Sequence, residues 1–493
     1  MTATTFPAAP ETFSTGRKSR NAGGRRQWSR QVAVDLVGLG DAASVVIGIF
    51  LPATIYSTIG ELSLSPGVIA RLGFVTAIIL YLCLRNWGMY PTTALNDFPI
   101  RPGTLIAALA LAIFSVIGLG LPFAQSDFIH VWVWSLAWIS ASFLLLLLNR
   151  VIAQKVLASL TAAGRFDTRI AVFGAGEIAR RVRTHLSNEA LGIKFVGVYD
   201  DRNGQERVDS QGLDVLGKLD ELVRAARAGE IDQIVVALPA AADHRIALIA
   251  RQLEQLPVSV HIVTHIASDL VDEGPAHKVS SIGPVGLLDV KPKPLADWAP
   301  LLKRVEDNVL GIIFLLLALP LMALIAIAIK LDSRGPVIFR QRRRGLNQTE
   351  IEVLKFRTMT VQENGPTVTQ AQVDDPRITR VGRFLRRTSL DELPQLFNVL
   401  RGDMSIVGPR PHALAHDDEW GQKVAEYLKR HQVKPGITGL AQVRGFRGLA
   451  DTPVSIENRI RNDLEYISNW SLGLDLKIIA RTLWAITSGR NAH

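Results

Sequence analysis

Cysteine is nearly missing from this chain. Cys83 stands alone among 493 residues, so no intramolecular disulfide can form and a cysteine-built metal centre is excluded. Charge is also scarce. Asp, Glu, Lys and Arg make up 20% of the residues, below the roughly 25% of ordinary soluble domains. The apolar fraction is 48% and the mean hydropathy is positive. This balance points to an integral membrane protein with soluble parts. Acidic residues are the scarcer sign, 45 against 55 basic, for a net charge of +10. The basic residues cluster beside apolar runs, which favours phosphate or anionic-lipid ligands over nucleic acid.

What is present falls into four stretches. Residues 1–30 are rich in Thr, Ala, Pro and Ser and then basic, with Arg17, Lys18, Arg20, Arg25, Arg26 and Arg30. This composition predicts a disordered basic tail on the cytoplasmic side. The first apolar run begins too late and is too long for a signal peptide. Residues 31–150 hold four apolar runs, at about 32–56, 68–84, 103–123 and 130–148. Each is near the roughly 20 residues that span a bilayer, so a four-helix transmembrane bundle is expected. Arg85 and Arg101 lie between the second and third runs, and Arg150 and Lys155 follow the fourth. Positive residues there and before the first run put both ends of the bundle in the cytoplasm. Asp35 and Asp41 are anomalous within the first run. Asp35 lies near its margin and is expected at the interface.

Residues 165–290 change character. A strand from Thr168 to Phe173 runs into Gly174-Ala175-Gly176-Glu177-Ile178-Ala179, a G-x-G-x-x-A turn opening a helix. A second strand ends at Asp200, about 25 residues on. Further strand and helix follow from Ile234. This is the pattern of a Rossmann-like nucleotide-binding domain, with Gly174 and Gly176 facing a phosphate and Asp200 a ribose hydroxyl. The same turn also occurs as bare architecture, and no hydride-transfer site accompanies it. The proline-spaced GLLDVKPKP at 286–294 reads as a linker.

Residues 300–493 open on a long apolar run, Val309 to Ile329, interrupted by Pro320 and basic on both flanks. Proline removes a backbone donor and favours a kink. Flanking charge of one sign argues that both ends stay cytoplasmic, so a re-entrant helix over about 305–330 is expected rather than a span. Downstream, Lys355 and Arg357 alternate onto one face of a strand, where they can bind phosphate oxygens or pair with acids. The adjacent carboxylates Asp391 and Glu392 sit on a helix-like, arginine-rich segment, and Gly408-Pro409-Arg410-Pro411 follows. Adjacent carboxylates suit phosphoryl chemistry: one can attack phosphorus while the other holds a divalent cation. An acidic pair solvated beside Arg386 and Arg387 is the plain alternative. The last stretch, Asp463 to Ile486, reads as amphipathic helices on a membrane surface or as ordinary core.

Four stretches carry a resemblance: KLDSRGPVIFRQRRRG (330–345), LKFRTM (354–359), DDPRITRVGRFLRRTSLDELPQLFNVLRGDMSIVGPRP (374–411) and KPGITGLAQVRG (434–445). In that order they resemble the bacterial polyprenyl-phosphate hexose-1-phosphate transferases, monotopic phosphoglycosyl transferases that start exopolysaccharide repeat units. The upstream bundle and Rossmann-like domain are similar to the long form of that family. The residue before the helix-breaking proline, often Ser there, is Leu319 here. The resemblance implies a mixed α/β monotopic catalytic domain with a re-entrant helix, on the cytoplasmic face of a bacterial inner membrane. It implies Asp391 as nucleophile toward a UDP-hexose, Glu392 as a Mg²⁺ ligand, and Arg410 on phosphate, with Lys355 and Arg357 as further phosphate ligands. The acceptor would be undecaprenyl phosphate and the product UMP. The closing segment NWSLGLDLKII (469–479) looks like the glucose-transferring members, so UDP-glucose is expected and UDP-galactose is the alternative. Membrane lipid is an expected partner; nucleic acid is not, and homo-oligomerisation is compatible with the sequence. A membrane-anchored, nucleotide-sensing regulator of polysaccharide export is the reading from another class.

Overall fold

The computed structural model describes residues 29–59, 65–92, 95, 97–120, 128–186, 192–202, 213–239, 242–264, 279–282, 285–291, 294–295, 297–360, 375–424, 426–446 and 453–487. The expected tail at 1–30 lies outside these residues, apart from its last two. Four apolar helices come first: α1 (Arg30–Ile59), α2 (Pro66–Asn86), α3 (Pro102–Gly120) and α4 (Phe128–Ala162). Helices α1, α2 and α4 are long and apolar enough to cross a membrane, and α3 is a shorter apolar helix. Their common core contains Ile49, Leu80, Leu84, Leu105, Leu109, Ile113 and Trp138. Their outward side chains, among them Phe74, Leu136 and Leu144, are apolar too, as lipid contact requires.

Asp41 is resolved by a partner that the sequence placed elsewhere. Arg150, expected as a cytoplasmic flank, is fully buried, and its Nη2 lies 2.5 Å from Asp41 Oδ2. Tyr90 donates its hydroxyl to the same carboxylate at 2.8 Å, and Arg150 Nη1 donates to the Met89 carbonyl at 2.9 Å. Helix α4 also runs past residue 148, where its apolar run ends, to Ala162. The polar residues Asn149, Arg150, Gln154 and Lys155 interrupt the run but not the helical period: Ala153 and Leu157 still pack on Val34 and Val37 of α1. Asp35 accepts from the Trp298 indole at 2.7 Å.

The middle of the chain forms a seven-stranded sheet of order β3-β2-β1-β4-β5-β7-β6. Its strands are β1 (Thr168–Phe173), β2 (Ile193–Tyr199), β3 (Val215–Gly217), β4 (Gln233–Val236), β5 (Ser259–Thr264), β6 (Val279–Ile282) and β7 (Val285–Lys291), with helices α5 (Glu177–Leu186), α6 (Leu219–Arg227) and α7 (Asp243–Leu253). Strands β1 to β5 are parallel, which gives the Rossmann order. The segment 286–291 is not a linker. It is strand β7, antiparallel to both β5 and β6. Apolar residues at Val285, Leu287, Leu288 and Val290 outweigh the prolines, which begin only at Pro292.

Helix α8 (Ala299–Asp332) opens the C-terminal part and continues through Pro320. Its two ends are anchored on the same body. At one end, buried Lys303 pairs with Asp475 at 2.6 Å, and Asp307 accepts from the Ile406 amide at 3.0 Å. At the other, Met322, Ile325 and Ile329 pack with Phe356 and Leu385. Between them Leu316 and Leu317 are 63% and 74% exposed. The rest is built from the hairpin β8 (Ile338–Arg344) and β9 (Glu350–Phe356), helices α9 (Arg380–Thr388) and α10 (Gln395–Arg401), the parallel pair β10 (Ser405–Val407) and β11 (Gly436–Thr438), and helices α11 (Leu414–Lys423), α12 (Leu440–Val443), α13 (Pro453–Ser468) and α14 (Leu472–Thr487). The sequence segment 434–443, read as a loop, supplies β11 and α12.

Candidate active site

Asp391 and Glu392 do not lie within one long helix. Helix α9 starts at an N-cap in which Thr379 Oγ1 accepts from the Gly382 amide at 2.9 Å. It ends at Ser389, which adopts the left-handed conformation with φ of 61°. A single 3₁₀ turn, Leu390–Glu392, follows and leads into α10. A non-glycine residue at positive φ is uncommon and recurs at functional sites. Here it ends α9 and begins the turn that carries the two carboxylates.

Glu392 is buried and held by two cations. Its Oε1 accepts from Lys355 Nζ at 3.1 Å and from Arg410 Nη2 at 2.5 Å, and its Oε2 accepts from Arg410 Nη1 at 3.1 Å. Burial opposes its ionisation, but Arg410 and Lys355 hold Glu392 well below the usual carboxylate range. Asp391 is different. Among the described residues it makes no hydrogen bond or ion pair, and it is partly open to solvent. Burial and the neighbouring Glu392 charge push its carboxyl up to about 6, against the pull of Lys355, Arg410 and Arg386. The pair thus divides into one fixed anion and one free carboxylate whose ionisation is delayed.

Three elements converge to make this arrangement. Lys355 comes from β9, which Asn398 of α10 clamps from behind: its Oδ1 accepts from the Leu354 amide at 2.9 Å, and its Nδ2 donates to the Glu352 carbonyl at 2.6 Å. Arg410 comes from the turn after β10. That turn is stitched to β11, with the Gly408 amide donating to the Thr438 carbonyl and the Gly436 amide to the Pro409 carbonyl, both at 2.9 Å. A Cβ on Gly436 would fall 2.1 Å from the Gly408 nitrogen, so the approach needs glycine there. Arg343 of β8 also donates to the Pro411 carbonyl. Arg430 holds the turn from below, donating to the Arg410 carbonyl at 2.7 Å and to Asp463 at 2.8 Å.

The structure therefore brings Lys355, Asp391, Glu392 and Arg410 together. Arg357 lies apart, its Nη2 on the Ser333 carbonyl at 2.7 Å and on the Ser333 hydroxyl at 3.0 Å. Sequence reasoning missed Ser389, Asn398 and Arg430. Asn398 carried a signal, as a buried amide on the apolar face of α10; Arg430 was one basic residue among several.

The sequence-predicted residues of the Rossmann-like domain also meet. Gly174 has φ of +106°, and a Cβ there would lie 2.7 Å from the Ala237 carbonyl oxygen, so glycine is needed to cross β4. Gly176 has open space where a Cβ would be. Asp200 Oδ2 accepts from the Ala175 amide within the glycine turn at 2.6 Å and from Arg202 Nη2 at 2.8 Å. The acid closes its own turn, which gives it a structural role independent of any ribose.

As to a metal, no group of three or more His, Cys, Asp or Glu side chains converges among the described residues. A protein-built cage is thus not what they offer. They fit the way Mg²⁺ is commonly held, by one or two carboxylates with substrate phosphates completing the shell: Asp391 is unengaged, and the three hydrogen bonds on Glu392 leave part of its capacity open.

Comparison with known proteins places the chain in a family. Residues 298–489 match the bacterial sugar transferase family, and residues 85–264 match a CoA-binding domain family. The chain is 45% identical over 294 residues to the UDP-glucose:undecaprenyl-phosphate glucose-1-phosphate transferase of Escherichia coli K12, covering 60% of this chain and 62% of the relative. It is 38% identical over 369 residues to the protein of that name from Xanthomonas campestris pv. campestris, covering 73% and 75%. A Caulobacter vibrioides protein of the same name is 51% identical over 223 residues, 45% of this chain and 81% of the relative. With a relative 38% identical and covered over three quarters of its length, and with residues 298–489 matching the family, the chain belongs to the bacterial sugar transferases.

Proposed function

We propose that this chain transfers glucose 1-phosphate from UDP-glucose to undecaprenyl phosphate and releases UMP, through a covalent intermediate on Asp391, as a first membrane step of exopolysaccharide synthesis. The observation that carries this reading is the unpartnered Asp391 carboxylate beside a Glu392 fixed by Lys355 and Arg410. The names of the relatives supply the sugar and the lipid.

The Asp391 carboxylate attacks the phosphorus that bears the glucose. The phosphorus–oxygen bond to UMP breaks, and UMP leaves with that electron pair. An oxygen of the lipid phosphate then attacks the same phosphorus and displaces the Asp391 carboxylate, which is restored. Arg410 and Lys355 keep donors beyond those they spend on Glu392, and they stabilise the charge that builds on the transferring phosphoryl oxygens. Mg²⁺, held through Glu392 and the diphosphate, would neutralise phosphate charge when bound. The test is UMP release by purified protein with Mg²⁺ and undecaprenyl phosphate across a panel of UDP-sugars. Release with UDP-glucose supports the reading, release with UDP-galactose instead corrects the sugar, and silence with folded protein removes it.

Two further outcomes are expected. The reactive form of Asp391 is the ionised one. With its carboxyl near 6, kcat/KM should be level above about pH 7 and fall about tenfold per pH unit below 6. A rate level down to pH 5 would contradict this. The second concerns α8. Both of its ends are packed on one body while its middle is exposed and apolar, which supports a helix that enters and leaves the same leaflet. Tags at residues 1 and 493 should then both be cytoplasmic in a bacterial inner membrane. Tags on opposite sides would make α8 a span.

A further inference from the structure

Arg357 carries a buried charge that takes no part in the chemistry at Asp391. Its residue is 4% exposed. Among the described residues only Nη2 is engaged, by the carbonyl and hydroxyl of Ser333. Nε and Nη1 are buried and have no hydrogen-bond partner among the described residues. A guanidinium has five N–H donors and stays charged at any working pH. Burying it against two neutral oxygens of one residue leaves its charge uncompensated, and such a group calls for an anion.

Its position says which anion. Arg357 follows the last residue of β9, two residues beyond Lys355, and its amide donates to the Val337 carbonyl at 2.9 Å. Residues two positions apart in extended chain stand about 7 Å apart. Lys355 is committed to Glu392 and the donor end of the site. Arg357 is tied instead to Ser333, the residue that caps the membrane helix α8. The segment over it, Arg334 to Pro336, is exposed, and Gly335 lies directly against the guanidinium. A cation two strand positions from the donor cluster, at the mouth of a membrane helix, is placed for the second phosphate of the reaction.

We infer that Arg357 is the ligand of the lipid acceptor's phosphate, which takes up its free Nε and Nη1 donors and is thereby held beside the phosphorus carried on Asp391. The inference rests on the proposed transfer to a polyprenyl phosphate and adds the group that recognises that substrate. An arginine is suited to the task because two parallel N–H donors match two phosphate oxygens.

The experiment is equilibrium binding to the detergent-solubilised full chain of three probes: a short polyprenyl phosphate, the matching polyprenol, and UDP-glucose. The wild type should prefer the phosphate to the alcohol. In Arg357→Gln the phosphate affinity should fall about tenfold or more, with polyprenol and UDP-glucose within about twofold; Arg357→Lys, which keeps the charge but not the fork, should fall between. Loss of UDP-glucose affinity in parallel would assign Arg357 to the donor phosphates. Equal loss for phosphate and alcohol, or failure of both variants to fold, would make it a clamp on the Ser333 segment. Each of these overturns the inference while leaving the transfer reaction standing. A wild type that does not distinguish phosphate from alcohol would instead remove the acceptor proposed above, and this inference with it.

Discussion

Asp391→Asn abolishes UMP release. The amide has the same shape and no nucleophilic oxygen anion, so the loss should be about 10⁴-fold or more, as for other enzymes that lose a covalent nucleophile. The same substitution should stabilise the fold. Asp391 has a carboxyl raised above its unfolded value, from 3.8 to about 6. The native state therefore holds more protons than the unfolded state between those values, and stability falls as pH rises through that window. Above it the ionised carboxylate is a standing cost, which the neutral amide removes. A gain on the order of 1–2 kcal/mol at pH 7.5 is expected from denaturant unfolding. Lower activity with higher stability is the signature of a residue kept for chemistry. Near-normal turnover in this variant would end the assignment of Asp391.

Glu392→Gln should act in the opposite sense on stability. Glu392 balances two cations, Lys355 and Arg410, at an almost fully buried position. Removing one member of a buried cluster leaves the others unpaired, at about 3–5 kcal/mol. Activity should fall by about 10²-fold, because Lys355 and Arg410 lose the anion that orients them. Two controls separate position from metal. Glu392→Met with Arg410→Met should recover part of the stability, since fewer buried charges are stranded, but none of the activity. A Mg²⁺ titration of folded Glu392→Gln should show a raised half-maximal concentration. An unchanged titration would confine Glu392 to positioning its two cations.

Much of this was legible in the sequence, for reasons that can be named. The four apolar runs became four helices because runs near bilayer length have few other folds open to them. The G-x-G-x-x-A turn is backed by a parallel Rossmann sheet because Gly174 must cross β4 at close range. The co-location of Lys355, Glu392 and Arg410 was legible through the family resemblance, whereas the alternation of Lys355 and Arg357 did not bring Arg357 to the cluster. The pairing of Asp41 with Arg150 was not, since their positions are 109 apart in the chain and Arg150 by itself read as a cytoplasmic flank. Nor was strand β7, where two prolines just past the strand, Pro292 and Pro294, drew the eye from its apolar residues. The difference between Asp391 and Glu392 was the deepest omission. Adjacent letters give no sign that one carboxylate would be fixed by two cations and the other left free; the left-handed turn at Ser389 and the clamp by Asn398 and Arg430 decide it.

The central claim is that a sugar phosphate passes through Asp391. Purified protein incubated with UDP-glucose and Mg²⁺, without undecaprenyl phosphate, and then digested with trypsin tests it most directly by mass spectrometry. The account predicts a gain of one hexosyl phosphate on Asp391 in the peptide 388–401, lost when undecaprenyl phosphate is added and never formed in Asp391→Asn. Turnover with no such adduct, or an adduct on another residue, would contradict it.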